Sequence, residues 1–196
     1  MLPISRLSIV NQALGKIGRL PVTNIEDSED AQLLDLKIDL LLPVLLESTI
    51  WNFALRYVND TTPLTTQFSP DYEYIFQLPF DYGHMYNWGG FDYNFSDQSA
   101  LPYLISDGLI STNESEISYY YVVSNVDVSA ISTLFYRALV LFIAYDSALV
   151  LTENERLLQS LYTEFQEAKS EAILRNDQER YIVSKPYNDY NRNTIV

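Results

Sequence analysis

The chain has 196 residues, of which 47% are hydrophobic and 19% charged, with 26 Asp and Glu against 12 Lys and Arg for a net charge of -14. That length allows one sizeable domain or two small ones, and the apolar share suffices for a packed core and excludes wholesale disorder. The acidity excludes a protein that grips duplex DNA by neutralising phosphates. With no Cys and one His, disulfides, thiolate sites and His-rich zinc sites are excluded as well.

The first elements read as two helices. Ser5 can cap a helix whose Leu7, Val10, Leu14 and Ile17 share one face, with Gly18 ending it. Asp27 or Ser28 can cap the next, where Ala31, Leu34, Ile38, Leu41 and Leu45 repeat at three and four. Leu33, Leu36 and Leu40 widen that stripe, which predicts burial on more than one side. Pro43 predicts a kink or a break. Trp51-Asn52-Phe53-Ala54 follows as part of an apolar anchor.

Between Arg56 and Arg137 there is no Lys or Arg, and most of the tyrosines lie there. This shift in composition divides the chain into a helical bundle from 1–56 and 129–176, an inserted acidic β-region at 57–128, and a tail at 177–196. Within the insert, Tyr72, Tyr74, Phe76 and Leu78 alternate with Glu73, Ile75 and Gln77 until Pro79. Asp107-Gly108 between two short apolar runs is a hairpin signal, since a type I′ turn needs positive φ at both central positions. Ile117, Tyr119, Tyr121 and Val123 alternate again. Asp81 to Phe95 has no clean period and reads as a long loop or irregular hairpin.

In the second flank, Phe135, Ala138, Phe142, Tyr145 and Leu149 form one stripe, and Leu134, Val140, Leu141 and Ile143 fill most of the remaining faces. That predicts the central helix. Thr152-Glu153-Asn154-Glu155 reads as a capping box. An amphipathic helix follows to about Asn176, roughly 33 Å at 1.5 Å per residue. The expected class is α+β: a mainly helical bundle with an inserted antiparallel β-region and an extended C-terminal segment. The core candidates are Val10, Leu14, Leu34, Leu45, Trp51, Phe53, Phe135, Leu139 and Phe142. No targeting segment is visible, and the longest apolar stretch, around Leu139 to Ala144, is stopped by Asp146 and reads as too short to span a bilayer.

Chemistry is sparsely signalled. His84 is the one conventional general base, and no serine elbow, HExxH motif or phosphate-binding glycine loop accompanies it. The pairs Asp71/Glu73 and Glu114/Glu116 have the i, i+2 spacing of solvated strand residues, although paired carboxylates also serve glycosidases. Tyr86, Trp88, Phe91 and Tyr93, mixed with Asn, Asp and Gly, can form a protein interface, a glycan platform, or a cluster folded back on the insert. Tyr181, Ile182, Val183, Tyr187 and Tyr190 give the C-terminal segment more apolar anchors than a solubilising tail needs, which suggests a segment that orders on a partner. No catalytic residue, cofactor or metal is expected.

Ordered motifs then point to a family. Ser8-Ile9-Val10-Asn11-Gln12-Ala13-Leu14-Gly15-Lys16-Ile17-Gly18 resembles an opening "NqAL..iG" helix, and Ile25-Glu26-Asp27-Ser28-Glu29-Asp30-Ala31 its second-helix cap. Leu46 with Trp51-Asn52-Phe53-Ala54 is similar to "vL....WnFA", and Tyr74 to Asp81 to "Y.Y.LP.D". Phe135, Ala138, Leu139, Ala144, Ala148, Leu149 and Thr152 fit "F..aL...lA..la..lt". The set resembles the head-to-tail adaptors of short-tailed bacteriophages, the tail tubular protein A group. The family often has a basic residue after "LP.D", where this chain has Tyr82-Gly83-His84, and Tyr82 to Pro102 matches nothing in the pattern.

That resemblance implies a virion structural protein made in the host cytoplasm and placed at the head–tail junction. It implies a ring of twelve copies, docked below the portal protein and above the tail nozzle, with DNA passing through the bore without specific binding. It implies portal docking through Tyr181, Ile182, Val183, Tyr187 and Tyr190. Tyr86, Trp88, Phe91 and Tyr93 are then candidates for the side facing the tail and its fibres. No membrane partner is implied. The alternatives are a carbohydrate-binding or glycan-degrading tail component, using Trp88, Tyr86 and nearby acids, and a tail-fibre anchoring protein of another stoichiometry.

Overall fold

Helix ends are set by local chemistry. In the computed structural model, which describes residues 4–64, 71–88 and 103–181, α1 spans Arg6–Lys16. The Ser8 N–H donates to Ser5 Oγ at 3.2 Å and the Ser5 N–H to Ser8 Oγ at 2.9 Å, a reciprocal cap. Gly18, at φ 78°, turns the chain so that the Arg19 N–H reaches the Leu14 carbonyl at 2.8 Å. A Cβ would strain that backbone.

The second helix, α2, spans Glu29–Glu47 with Ser28 as its cap. The chain neither breaks nor ends at Pro43. The carbonyl that proline leaves without its donor is that of Asp39, on an exposed part of the helix where water can satisfy it. The third helix, α3, spans Thr133–Thr152, capped by Ser132, and α4 spans Glu155–Tyr181. The expected capping box at Thr152 is displaced. Thr152 closes α3, its hydroxyl donating to the Ala148 carbonyl at 2.6 Å, and Glu153 takes φ 52°. Asn154 is the cap of α4, its Oδ1 accepting from the N–H groups of Arg156 and Leu157 at 3.1 Å each. The short Asn side chain fits a cap better once the chain has turned through a left-handed residue. α4 also runs five residues beyond the expected Asn176.

α3 lies at the centre, packed by α1, α2 and α4. Arg19 ties one end of the bundle, reaching Asp30 on α2 and the carbonyl of Leu151 on α3. At the other end Trp51, Phe53 and Phe135 meet edge to face or tilted, Trp51–Phe135 at 4.8 Å between centroids. Phe142 stacks on Phe165 at 4.6 Å, joining α3 to α4. α3 is, as a whole, long and apolar enough by length and composition to cross a membrane, which corrects the expectation read from its apolar middle alone. Within the fold its apolar residues meet three helices, and Asp146 is paired with Lys37 of α2 at 2.7 Å.

Among the described residues, six strands lie between α2 and α3: β1 Leu55–Asp60, β2 Tyr74–Gln77, β3 Tyr82–Trp88, β4 Tyr103–Ser106, β5 Leu109–Thr112 and β6 Ile117–Val123. They form two antiparallel sheets, ordered β1-β6-β3 and β2-β5-β4. The fold is α+β. The β4–β5 turn has Asp107 at φ 51° and Gly108 at φ 75°, as its sequence predicts. Two strands differ from expectation. β1 was not anticipated, and the start of the supposed irregular stretch is β3, paired with β6 through register shifts at Tyr82/His84 and Met85/Asn87. Those irregularities erase the period of two that marks a strand. In β2, Ile75 and Phe76 are both buried rather than alternating.

Of the core candidates, Val10, Leu14, Leu34, Leu45, Trp51, Phe135 and Leu139 are buried, while Phe53 and Phe142 are partly buried against them. Leu36 and Leu40 are not buried: each is 62% exposed. Leu149, at the end of α3, is exposed too.

Candidate interaction surfaces

The joint between bundle and insert is built from Asn52 and Asn176. Asn52 begins the short 3-10 turn after Trp51, and Asn176 lies on α4. Asn176 Oδ1 accepts from the Asn52 N–H at 2.8 Å, its Nδ2 donates to the Ile50 carbonyl at 2.8 Å, and its own carbonyl accepts from Asn52 Nδ2 at 2.8 Å. Trp51 Nε1 donates to the Leu45 carbonyl at 3.0 Å. Asn11 does the same work at the other end of the bundle. Its Nδ2 donates to the Val22 carbonyl at 2.9 Å, and its Oδ1 accepts from the Val22 N–H at 2.8 Å. A planar amide offers donor and acceptor side by side, and so can stand in for a missing backbone partner. Asn11, Trp51 and Asn52 therefore act as architectural clamps. A groove of about 260 Å³ beside the Asn52–Asn176 joint falls below the usual size of a ligand pocket.

Trp88, expected to face a partner, is 7% exposed. It stacks on Tyr103 at 4.6 Å and lies 6.1 Å from Tyr119, so β3 of one sheet meets β4 of the other through this ring. Buried to that degree, it cannot serve as the exposed platform that glycan binding requires. Tyr86 is partly exposed on β3, while Phe91 and Tyr93 lie outside the described residues. Tyr121 and Tyr82 extend the aromatic row at 5.8 Å. Burial, together with the Asp81 carboxylate that accepts its O–H at 2.8 Å, pushes the Tyr121 phenol up to about 12. Burial raises Tyr119 and Tyr82 as well.

His84 lies on β3 opposite Val122, and Asp71, Glu73, Glu114 and Glu116 are exposed. Among the described residues, no cluster of His, Asp or Glu is placed to hold a metal ion. Among the described residues, six Lys and Arg side chains are held in ion pairs with the chain's own acids, among them Arg6 with Asp35 and Asp39, Lys16 with Glu164 and Arg137 with Glu171. Hydrogen bonds to Asp39 and Asp35 raise the Arg6 guanidinium, and the Arg6 bond lowers Asp39. Half of the chain's twelve Lys and Arg are thus tied to its own acids.

Tyr181 is the last residue of α4, and Ile182, Val183, Tyr187 and Tyr190 lie outside the described residues. What sequence reasoning missed is the exposure of an apolar stripe on α2, where Leu36 and Leu40, expected to be buried, and Val44 are all more than half exposed. They face away from the buried Leu34, Ile38 and Leu45. Their four-residue spacing was visible, but periodicity does not say what covers a face. Compared with known proteins, the sequence matches no family model and no curated protein.

Proposed function

We propose that the chain is a structural subunit without chemistry of its own, assembling as a dodecameric ring between portal protein and tail nozzle at the head–tail junction of a short-tailed bacteriophage, with DNA passing through the bore. The observation that carries this reading is where the adaptor-like motifs fall. Asn11 clamps the turn after α1, and Asn52 clamps α4 to the start of the insert. Trp51 fills the junction under Phe135. These residues hold together a helical bundle interrupted by a β-insert, the architecture that the resemblance implies. The net charge of -14 supports a bore through which DNA slides without being gripped, because acidic walls repel phosphates over about 8 Å at physiological salt.

In this reading the C-terminal segment, with Tyr181, Ile182, Val183, Tyr187 and Tyr190, docks on the portal, and the insert faces the nozzle and fibres. The test is co-sedimentation of the full chain, and of a chain ending at Tyr181, with a portal ring. The full chain is expected to bind as a ring visible by electron microscopy, and the shortened chain to fold but fail to bind. Binding undiminished by the truncation would refute the docking assignment. A particle image placing the protein alone at the virion periphery would refute the adaptor.

A further inference from the structure

We propose that Phe80 of one copy of this chain inserts into the groove beside the Asn52–Asn176 joint of a second copy, a head-to-tail contact between two different surfaces. Phe80 is fully exposed, although Phe is among the residues most often buried. It stands at the second position of a turn that the Tyr82 N–H closes by donating to the Pro79 carbonyl at 3.0 Å. The turn is fastened on both sides. The Leu78 N–H donates to the Gly108 carbonyl at 2.9 Å, the Ser124 N–H to the Asp81 carbonyl at 2.8 Å, and the Tyr121 O–H to the Asp81 carboxylate at 2.8 Å. An aromatic ring held outward on a backbone fixed in this way loses little freedom on docking, which suits it to anchor an interface.

The groove matches that ring in size and in lining. At about 260 Å³ it is small for a ligand, but a cavity of about 150 Å³ already accepts benzene. Its apolar walls are Phe53, Leu134 and Ala172. Phe53 is partly buried and meets Phe135 edge to face at 5.0 Å, so an incoming ring extends an aromatic cluster already in place. The chain cannot fill its own groove with Phe80, because that side chain is fully exposed within it.

Charge selects a second copy docked head to tail. The β-insert has no Lys or Arg from 57 to 128. Its knob is flanked by Asp81 and by Asp107, the neighbour of the Gly108 that holds Leu78. The groove carries Arg175 beside Glu179, and the Arg56 guanidinium donates to the carbonyl of the Phe53 wall at 2.9 Å. Two acids thus approach two guanidinium groups and one acid, whereas knob against knob would set acid against acid. Since knob and groove are different surfaces, each copy uses both, and copies add in series until a rotation closes them. For that closure the inference rests on the ring reading, to which it supplies the contact between neighbours.

Phe80→Ala removes the knob at an exposed position, and Thr133→Trp fills the groove from an exposed position on its wall. Circular dichroism checks that both variants fold. Sedimentation velocity across a concentration series then follows the unaltered chain, each variant, and the two variants mixed. The unaltered chain is expected to associate in series. Truncating an anchor weakens an interface about thirtyfold or more, and each variant alone is expected to show that loss. The mixture pairs the open groove of Phe80→Ala with the knob of Thr133→Trp, and is expected to stop at a dimer of one copy of each. Leu20→Ala, 86% exposed on the bundle, should leave association unchanged. Association of Phe80→Ala as tight as that of the unaltered chain would overturn the inference. So would an unaltered chain that stays monomeric at about 1 mM. Electron microscopy separates the contact from the ring: rings that persist in Phe80→Ala sink the contact and keep the ring, whereas open filaments that Phe80→Ala abolishes keep the contact and sink closure.

Discussion

Replacing Asn176 with Ala removes one donor and one acceptor at the joint between the helical bundle and the β-insert. The side chain is 7% exposed, and both of its bonds, to the Asn52 N–H and the Ile50 carbonyl, measure 2.8 Å. A net hydrogen bond contributes about 1 kcal/mol, and a buried partner left unmet costs about 1–3 kcal/mol. The expected loss is therefore about 2–3 kcal/mol. Asn52→Ala removes the side-chain bond to the Asn176 carbonyl and is expected to cost at least about 1 kcal/mol. The two residues share a network, so the double variant should lose less than the sum of the single losses. Urea unfolding followed by far-ultraviolet circular dichroism, with tryptophan fluorescence reporting on Trp51 beside the joint, measures all three. A loss below about 0.5 kcal/mol for Asn176→Ala, within the range of ordinary surface changes, would refute the clamp.

Three further outcomes follow from the geometry. A Cβ at Gly83 would sit 2.7 Å from the Val122 carbonyl oxygen and 3.0 Å from the Ser124 nitrogen, both backbone atoms of the neighbouring strand segment. Gly83→Ala should cost about 1–3 kcal/mol in urea unfolding; a neutral result would mean that β3 does not pair with β6 as described. Trp88→Ala should cost about 3–5 kcal/mol and loosen the contact between the two sheets, read as faster amide exchange in β4 and β5. For Tyr121, the folded phenol titrates near 12, above the ordinary value of about 10, so the unfolded chain releases its proton first. Its contribution is fully present below about pH 10 and is lost as pH rises toward 12. Tyr121→Phe should flatten alkaline unfolding in that window, and an unchanged profile would rule out this origin.

The parts of the fold that local chemistry decides were legible in the residues. Ser5, Ser28, Gly18 and Asp107-Gly108 each act within a few positions of themselves, and each turned up where expected. Thr152 failed because two candidate caps stand two residues apart, and the left-handed Glu153 hands the role to Asn154. β1 was hidden because it is an edge strand, with Arg56, Tyr57 and Asn59 exposed, so its sequence lacks clean alternation. β3 was hidden by its register shifts. The apolar character of Trp88 was plain, but whether its ring faces a partner or another strand depends on where β4 and β6 lie. Composition carries no such information. Leu36 and Leu40 teach the same lesson in reverse: their spacing predicted burial on a second side of α2, yet each is 62% exposed.

The position of α3 has a consequence for synthesis. Its contacts with α1 and α2 close the N-terminal half of the core, and about eighty residues of β-insert separate it from α2 in the chain. A nascent chain therefore emerges with α1 as the one helix available to pack on α2. The surface of α2 that meets α3 stays open through several seconds of elongation at about 5–20 residues per second. The buried face can be satisfied only after α3 has left the ribosome, and α4 can lock the joint through Asn176 only near the end of translation. Newly made copies are thus exposed to mispairing with one another over most of their own production, and a chaperone that shields the first two helices should raise the yield of folded protein.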